Sequence, residues 1–395
     1  MYGKKITNYV PEPTRVKSDI YVACHYYPGW EVGGDTTMGG MRKLENYPER
    51  TPIQGFYDGK DPEVIDWEIK WACEHGINSF IFCWYRYKNN LGKPVTKNDL
   101  RLGATIHDGL FMAKYQHYID FAIMWECQAR WAAAEDADDL CNNLLPFWVE
   151  NYFSRPNYMK IDGKPIVYVY AAKEVINQFG SAEKCADAFA QCKEEIKKYG
   201  FEGIIFASEQ YQQDMTQIDE LLKAGFDYIF QYGWYPEHFD LSEEMLKEYY
   251  KTIKLDPEYV IQYQIDRINE RIKNYPGKCM FTASVSRDAT EAWLNVFNRT
   301  KLSNSECQWR LEPVEYRDLL RRIKTIIKGL PENDIGSKVL VLDNWNEWGE
   351  GHYLSPCTAY GFQYLQAIRE ALTECDNLPD YRIPYTLDMG PYDAV

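Results

Sequence analysis

The residues with the clearest capacity for chemistry lie between positions 339 and 352. An apolar run there passes directly into the sequence Asn-Trp-Asn-Glu-Trp-Gly-Glu-Gly-His. Its two carboxylates, Glu347 and Glu350, stand three residues apart, and the glycines around them permit a tight backbone path. If this segment forms a helix-like turn, the carboxyl groups lie roughly 5–6 Å apart, close to the separation used by retaining glycosidases. The flanking tryptophans would exclude water and raise one carboxyl pKa, as a general acid requires. The structural alternative is that one glutamate caps the next helix or pairs with Arg287.

Eight short apolar, β-branched or aromatic runs alternate with helical patterns along the whole chain, and these elements must position the two carboxylates. The predicted strands are 20–27, 78–85, 119–125, 165–170, 203–208, 227–232, 278–285 and 338–343. The predicted helices that follow them are 61–75, 105–116, 137–151, 181–199, 215–223, 243–274, 313–329 and 360–374. Asp256-Pro257 divides the sixth helix in two, because proline cannot continue a helix interior.

This alternation predicts a parallel sheet that is buried on both faces. Eight strand–helix units are the number that closes a (β/α)8 TIM barrel, so the predicted fold class is α/β with a single barrel domain. The alternative is a doubly wound open sheet, but no Gly-x-Gly-x-x-Gly sequence follows a strand.

The whole chain, 1–395, is interpreted as one catalytic domain because no linker or low-complexity stretch divides it. Within it, 1–19 is read as an N-terminal extension and 376–395 as a C-terminal tail. The excess length follows strands 1, 2 and 7, at 28–60, 86–104 and 286–312. Loops that follow the strands of a barrel form its catalytic face, so these long loops mark where a binding site is expected.

Most predicted strands end on an aromatic residue beside a hydrogen-bonding residue, and such strand ends are catalytic candidates in a barrel. Glu347 and Glu350 are the predicted catalytic pair. The predicted substrate-binding residues are His25, Tyr26, Tyr27, Trp30, Trp84, Tyr85, Trp125, Glu126, Tyr170, Glu209, Tyr232, Trp234, Arg287, Asp288, Asn346, Trp348 and His352. Four of the tryptophans, Trp30, Trp84, Trp125 and Trp234, are expected to stack on sugar faces; the alternative is that they plug the top of the core.

Composition limits the kinds of partner. The chain has 44 Lys and Arg against 59 Asp and Glu, a net charge of −15, which disfavours nucleic acid because phosphate binding depends on basic residues. With 12 Trp and 32 Tyr it suits a carbohydrate substrate, since sugars present apolar C–H faces and hydroxyl edges, although a Tyr-rich core would give the same counts. A neutral or weakly charged sugar is expected, because the net charge repels a densely anionic polymer.

No apolar run approaches the ~18 residues of a membrane span, so no membrane partner is expected. The first residues show no signal-peptide pattern, and the eleven scattered cysteines form no Cys-x-x-Cys pair. These features predict a cytoplasmic protein, or a periplasmic or secreted one if a signal peptide has been removed. The oligomeric state is left open.

Residues 344–356 closely resemble the final strand-end motif of the glycoside hydrolase family 99-like proteins. This group includes endo-α-mannosidases and the WbsX-type proteins described as glycosyltransferases. Further similar segments make the resemblance span almost the whole chain. They are 26–30 (Tyr-Tyr-Pro-Gly-Trp), 76–85, 121–126, 164–168 and 286–293.

The resemblance implies a barrel that acts on glycans with retention of anomeric configuration and without a catalytic metal. It implies that Glu350 is the acid/base on the glycosidic oxygen. Glu347 would be the base on the sugar's own 2-hydroxyl, through an epoxide-like intermediate, for sugars whose 2-hydroxyl is placed as in mannose. This chain departs from the family after strand seven, where Trp-Asp-x-Thr-Pro-Arg is usual and Arg-Asp-Ala-Thr-Glu-Ala is found at 287–292. If the missing arginine binds an anionic or hydroxyl-rich group, the substrate here differs, and Arg287 is a candidate to replace it.

Three functions follow from these observations, with a retaining glycoside hydrolase preferred. A WbsX-type glycosyltransferase would need a nucleotide-diphosphate site, but no Asp-x-Asp stands at a strand end. A non-catalytic carbohydrate-binding barrel has no need of two carboxylates at this spacing. No metal or cofactor is predicted, because His352 beside Glu350 lacks further ligands at typical spacing, and the glycine-rich stretch at 33–40 lacks the ending of a phosphate-binding loop.

Overall fold

The computed structural model describes residues 8–32, 41–128, 131–210, 214–234, 241–252, 254–287 and 309–393. Its central strands are β1 (Tyr21–Tyr26), β2 (Ser79–Arg86), β3 (Asp120–Glu126), β4 (Lys164–Tyr170), β5 (Ile205–Glu209), β6 (Tyr228–Phe230), β7 (Phe281–Ser284) and β8 (Val339–Asp343). None of these eight strands extends more than one residue beyond its predicted range. The strand predictions are therefore confirmed.

The eight strands close into a barrel. Hydrogen bonds join them in the order β6-β5-β4-β3-β2-β1-β8-β7, and each neighbouring pair is parallel. The remaining gap, between β6 and β7, is bridged where Ile229 N donates to Lys278 O at 2.9 Å and Met280 N donates to Ile229 O at 2.8 Å. The predicted (β/α)8 TIM barrel is confirmed.

Helices surround the barrel. They are α1 (Pro62–Glu74), α2 (Ala137–Asp139), α3 (Leu145–Trp148), α4 (Ala172–Phe179), α5 (Ala182–Glu195), α6 (Thr216–Lys223), α7 (Glu243–Thr252), α8 (Pro257–Asn274), α9 (Pro313–Lys328), α10 (Ile335–Lys338) and α11 (Gln363–Leu372). Across the described ranges, none of these helices has the length and apolar composition that crossing a bilayer requires.

Local sequence signals explain several helix boundaries. The Asp61 carboxylate accepts a hydrogen bond from Glu63 N at 2.9 Å and Pro62 takes the first helical position, so α1 begins where predicted. The break between α7 and α8 falls before Pro257, also as predicted. The helix expected at 105–116 is instead a π-helical turn followed by a 3-10 turn, and α4 was not predicted.

Burial on both sides of the sheet explains why the strand sequences read as continuous apolar runs. All eight residues of β2 are buried, because helices cover the outside of the barrel and side chains fill its interior. Cys24, Cys83, Cys127 and Cys279 are buried free thiols.

The segments before β1 and after α11 both pack on α1. Trp67 Nε1 donates to Tyr392 Oη at 3.1 Å, and Trp71 Nε1 lies 3.4 Å from the carbonyl oxygen of residue 382. Asn8 Nδ2 donates to Leu387 O at 2.8 Å, so the two segments also contact each other.

Candidate active site

His25 lies on the floor of the candidate site, inside the barrel. Its ring packs against Tyr168, Phe230 and Tyr232, with ring centroids 6.4, 5.6 and 4.8 Å away. The ring is fully buried, and neither nitrogen has a hydrogen-bond partner among the described residues. Burial lowers the pKa of His25 to about 3, so this imidazole is neutral and closes the site from below.

Three residues that were predicted to bind substrate point the opposite way, toward the helices. Tyr26 Oη donates to Glu68 Oε2 of α1 at 2.7 Å. The rings of Trp84 and Trp125 both pack on Trp148 of α3, with centroids 5.8 and 5.2 Å away. The prediction for these three side chains is wrong, because successive residues of a strand face opposite sides and each of them neighbours an inward-facing residue.

The two other tryptophans of the expected stacking surface are also buried. Trp30 is 3% exposed, and its Nε1 donates to Asn346 O at 2.8 Å. Trp234 is 1% exposed, and the guanidinium of Arg271 on α8 lies 5.0 Å from its ring centre. The expectation of four exposed stacking tryptophans is therefore wrong: these rings fill the core and fix the loops.

After β8 the chain forms a β-hairpin, and its turn contains the expected helix-like hydrogen bond, from Gly351 N to Glu347 O at 3.1 Å. Residues 346–347 pair antiparallel with 352–353, and Gly351 adopts a φ of 73°, which favours glycine. Glu347 lies on the first strand of the hairpin and Glu350 in its turn. This turn of the hairpin brings the two carboxyl groups to one place.

Two arginines from distant loops hold this hairpin. Arg50 Nη1 donates to the carbonyl oxygens of residues 348–349 at 3.0 and 3.3 Å, and Arg310 Nη2 donates to Gly351 O at 3.0 Å. These bonds fix the backbone on both sides of Glu350. Sequence reasoning missed both arginines, because a guanidinium that binds backbone carbonyls has no sequence pattern.

Asn346 and Trp348 serve the same hairpin. The Asn346 side chain accepts from Tyr27 N at 2.8 Å, and Trp348 Nε1 lies 3.3 Å from Tyr57 Oη. Both side chains are fully buried. They attach the hairpin to the loop after β1, so the prediction that they contact substrate is replaced by a positioning role.

Glu350 is held by Arg287 and His352. Arg287 Nη1 donates to Glu350 Oε2 at 2.5 Å, and His352 Nε2 lies 3.1 Å from the same oxygen. The other nitrogen of His352 bonds to Asp343, which the sequence had not singled out. Burial acts to raise the pKa of Glu350, but Arg287 and His352 outweigh it and hold this pKa at about 2. Glu350 is therefore ionised at neutral pH.

Glu347 has the opposite character. Its side chain is 3% exposed, and within the described part of the chain no group hydrogen bonds to its Oε1. Burial, and then the negative charge of Glu350, raise the pKa of Glu347 well above its usual range. These opposite pKa shifts favour a proton on Glu347 and a negative charge on Glu350. The family resemblance implies the reverse placement during catalysis.

Two further carboxyl groups end β3 and β5, which lie on either side of β4, at the same face of the barrel. Burial raises the pKa of Glu126, which is 5% exposed at the end of β3, to about 8, and the charge of Glu350 adds to this effect. Burial, followed by the charge of Glu126, raises the pKa of Glu209 at the end of β5. With a pKa of about 8, Glu126 is mainly neutral at pH 7, and the raised pKa of Glu209 favours the same neutral form; a neutral carboxyl group can donate a hydrogen bond to a sugar.

Tyrosines line the mouth beside these acids. The Tyr232 ring lies 5.3 Å from that of Tyr170 and 5.7 Å from that of His352, and its hydroxyl accepts from Asn344 Nδ2 at 3.0 Å.

A Cβ atom at position 29 would lie 2.1 Å from the ring of Tyr27, so a glycine is required there.

The structure brings most of the predicted strand-end residues together and leaves their roles as predictions. The residues that meet at the barrel mouth are Tyr27, Tyr85, Glu126, Tyr170, Glu209, Tyr232, Arg287, Glu347, Glu350 and His352. Asp288 lies outside the described residues. Over the described ranges, no group of three or more His, Cys, Asp or Glu side chains is arranged to hold a metal ion.

A Glu126→Gln variant is expected to flatten the pH dependence of stability. The folded pKa of Glu126, about 8, lies above its ordinary value of 4.5. The folded state therefore binds more protons than the unfolded state, and stability falls as the pH rises from about 4.5 to 8, by up to about 1.4 kcal/mol per pH unit. Thermal melts of both proteins between pH 4 and 9 measure the difference. Glu202→Gln, at an exposed position, is the control, and parallel curves for wild type and Glu126→Gln would contradict the burial of this acid.

Among solved structures, the GH99 endo-α-mannosidase of Bacteroides thetaiotaomicron shares this fold. Its complex with BIS-TRIS-propane has a TM-score of 0.57 and 14% sequence identity, over 90% of this chain and 96% of the enzyme. A second structure of that enzyme has a TM-score of 0.55 and 13% identity, over 90% of this chain and 97% of the enzyme. At this level of identity the likeness concerns the fold.

At the level of sequence, a protein named WxcX from Xanthomonas campestris pv. campestris is 22% identical over 330 residues, which is 82% of this chain and 43% of WxcX. This chain therefore spans less than half the length of that relative. The family model described as Glycosyltransferase WbsX matches residues 45–368, a range that includes seven of the eight barrel strands and the Glu347–Glu350 hairpin. The chain belongs to the WbsX glycosyltransferase family.

Proposed function

We propose that this chain is a retaining glycoside hydrolase that acts on a glycan or polysaccharide. The observation that carries the proposal is the hairpin after β8, where Glu347 and Glu350 share one site but differ in protonation. Two carboxyl groups whose environments push their pKa values apart can serve as an acid and a base. The likeness to an endo-α-mannosidase supports the same class of reaction by analogy of fold.

In the proposed first step, Glu350 gives its proton to the glycosidic oxygen as the bond from that oxygen to C1 breaks. Glu347 takes the proton of the sugar's 2-hydroxyl, and the freed oxygen forms a bond to C1. In the second step Glu350 takes a proton from water and the water oxygen attacks C1 as the bond from C1 to the 2-oxygen breaks, and Glu347 returns its proton to the 2-oxygen. Two inversions at C1 give net retention.

This sequence of steps requires a proton on Glu350 and a charge on Glu347 at the start. The free protein has the opposite distribution because Arg287 contacts Glu350 directly. The proton of the pair therefore has to move from Glu347 to Glu350 when substrate binds. A change in the contact between Arg287 and Glu350 is the simplest way to move it, since that contact contributes most to the low pKa of Glu350.

The surrounding groups suit a hydroxyl-rich ligand. Neutral Glu126 and Glu209 can donate hydrogen bonds, and the rings of Tyr170 and Tyr232 offer apolar faces beside them. These acids and rings converge on the same mouth as the catalytic pair. A sugar bound there would place one glycosidic bond beside Glu350.

A second candidate function is glycosyl transfer, which the description of the matching family favours. A transferase of this fold would use the same mouth but would take its sugar from an activated donor such as a nucleotide sugar. Its two carboxyls would then face the donor's anomeric carbon and the acceptor hydroxyl.

Product analysis on a panel of purified bacterial and plant glycans, with and without nucleotide sugars, tests the proposal. We expect new reducing ends without any nucleotide sugar, and proton NMR of the first products should show retained anomeric configuration. Products that form only with a nucleotide sugar would establish the transferase. Glycan binding without products under either condition would indicate a non-catalytic carbohydrate-binding barrel.

A further inference from the structure

Arg287 is placed to meet a ligand. It lies on a two-residue strand, Ser286–Arg287, which follows β7 and pairs antiparallel with Trp309–Arg310. Its side chain is 15% exposed and that of Glu350 is 24% exposed, whereas Glu347 beside them is 3% exposed. The ion pair between Arg287 and Glu350 therefore faces solvent, whereas Glu347 is buried beneath it.

The carboxyl groups nearest to this ion pair do not oppose the approach of an anion. Burial raises the pKa of Glu347, Glu126 and Glu209, and that of Glu126 reaches about 8. Of these four glutamates, Glu350 is the one whose pKa is held low, at about 2.

Among the described residues of the pocket, His352 is a second group that Arg287 contacts, with its Nε2 2.9 Å from Arg287 Nη1. Burial acts to lower the pKa of His352, but Asp343 and then Glu350 outweigh it and raise this pKa. Tyr27 and Tyr232 face the same glutamates, and burial raises the pKa of both phenols, which stay neutral. The net charge of −15 acts over a Debye length of about 10 Å and is screened, whereas the guanidinium acts at contact.

We propose that Arg287 binds the carboxylate of an acidic sugar in the substrate, and that this carboxylate displaces Glu350 from the guanidinium. The inference rests on the proposed function, since it assigns a substrate class to the same site. The exchange is balanced in charge, because one guanidinium–carboxylate pair replaces another. It is also balanced in protons, because Glu350 takes the proton that Glu347 gives up. The substrate's own charge thus selects the sugar and prepares Glu350 to act as the acid.

Arg287 contacts the residue that the resemblance assigns as the acid. With an uncharged residue at 287, Glu350 would lack its closest cationic partner and would not need a charged substrate to release it.

The test uses two probes that differ only at C6, methyl α-D-mannuronide and methyl α-D-mannoside, titrated into the whole protein by isothermal calorimetry or NMR. We expect the uronide to bind roughly tenfold more tightly, as a charge-assisted hydrogen bond allows, and the preference to shrink as salt is added. Arg287→Gln should abolish the preference. Arg287→Lys should keep part of it, because lysine retains the charge without the planar fork.

Arg322→Gln is the matched control, since Arg322 pairs with Glu258 and Asp318 on the helical exterior and should leave the preference unchanged. Thermal melts establish that each variant is folded. Equal binding of the two probes by wild type, or a preference that survives Arg287→Gln, would overturn the inference. UDP binding that depends on Arg287, without a preference for the uronide, would assign this residue to nucleotide phosphates and would also overturn it.

The outcomes separate this inference from the proposed function. A uronide preference that is lost in Arg287→Gln, in a protein that cleaves no glycan, keeps the assignment of Arg287 and rejects the hydrolase. Cleavage of neutral glycans by a protein that binds both probes equally keeps the hydrolase and rejects the role of Arg287.

Discussion

A Glu350→Gln variant is expected to lose roughly 10²–10⁴ of its kcat/KM on a glycan whose leaving group is a sugar hydroxyl. Glutamine preserves the shape of the side chain but cannot protonate the departing oxygen. On an aryl glycoside with a good leaving group the same variant should keep most of its rate, because that group departs without a proton. Steady-state kinetics of wild type and variant on both substrates measure the contrast.

Glu347→Gln is the informative companion. Glu347 acts on the attacking side in the proposed mechanism, so its loss should lower kcat/KM on both substrates by similar factors. Equal losses on the two substrates in Glu350→Gln would contradict its assignment as the acid, although not the location of the site. A reversed pattern, with the aryl glycoside spared only in Glu347→Gln, would assign the acid to Glu347, where the proton lies in the free protein.

A Trp125→Ala variant is expected to unfold with a free energy about 3–5 kcal/mol smaller than that of wild type. The indole is fully buried, packs on Trp148, and donates from Nε1 to Ala132 O at 3.2 Å. Its removal leaves a cavity between the barrel and α3 and an unpaired carbonyl. Denaturant unfolding, followed by tryptophan fluorescence and circular dichroism, gives the difference.

Trp131→Ala provides the matched comparison. This ring is partly exposed beside Tyr85, with the Arg101 guanidinium 4.7 Å from its centre. It should cost clearly less stability than Trp125→Ala because less of it is buried. If Trp125→Ala instead melted like wild type and lost glycan binding, an exposed stacking role for Trp125 would have to be restored.

The barrel could be predicted from the sequence because burial on both faces of the sheet requires continuous apolar runs in the strand sequences. Strands such as β2 and β8 must be apolar on both faces, and polar capping residues such as Asp61 mark where the covering helices begin. The rule that barrels place their chemistry at the carboxyl ends of strands then located Glu126 and Glu209 as well as the hairpin glutamates.

The predictions that failed concerned the orientation of side chains and contacts between residues that lie far apart in the sequence. At a strand end the sequence shows two adjacent aromatic residues but not which of them faces inward, so Trp84 was grouped with Tyr85, and Trp125 with Glu126. The arginines that bind the hairpin backbone could not be predicted either, because Arg50 lies about 300 positions from the carbonyls that it binds. The protonation of the pair depends on Arg287 and His352 meeting in space, which spacing along the chain does not show.

Because Asn8 and Leu387 are in contact, the order of the strands along the chain could be changed without changing their arrangement in the barrel. A short linker between these two segments would replace no strand pairing. New ends could be opened at Gly163, an exposed turn residue just before β4 with open space around it, at the opposite end of that strand from Tyr170 at the barrel mouth. A circular permutant of this kind would begin with β4 and would have β3 as its last barrel strand, which would bring the Glu347–Glu350 hairpin into the middle of the chain while each barrel strand kept its neighbours.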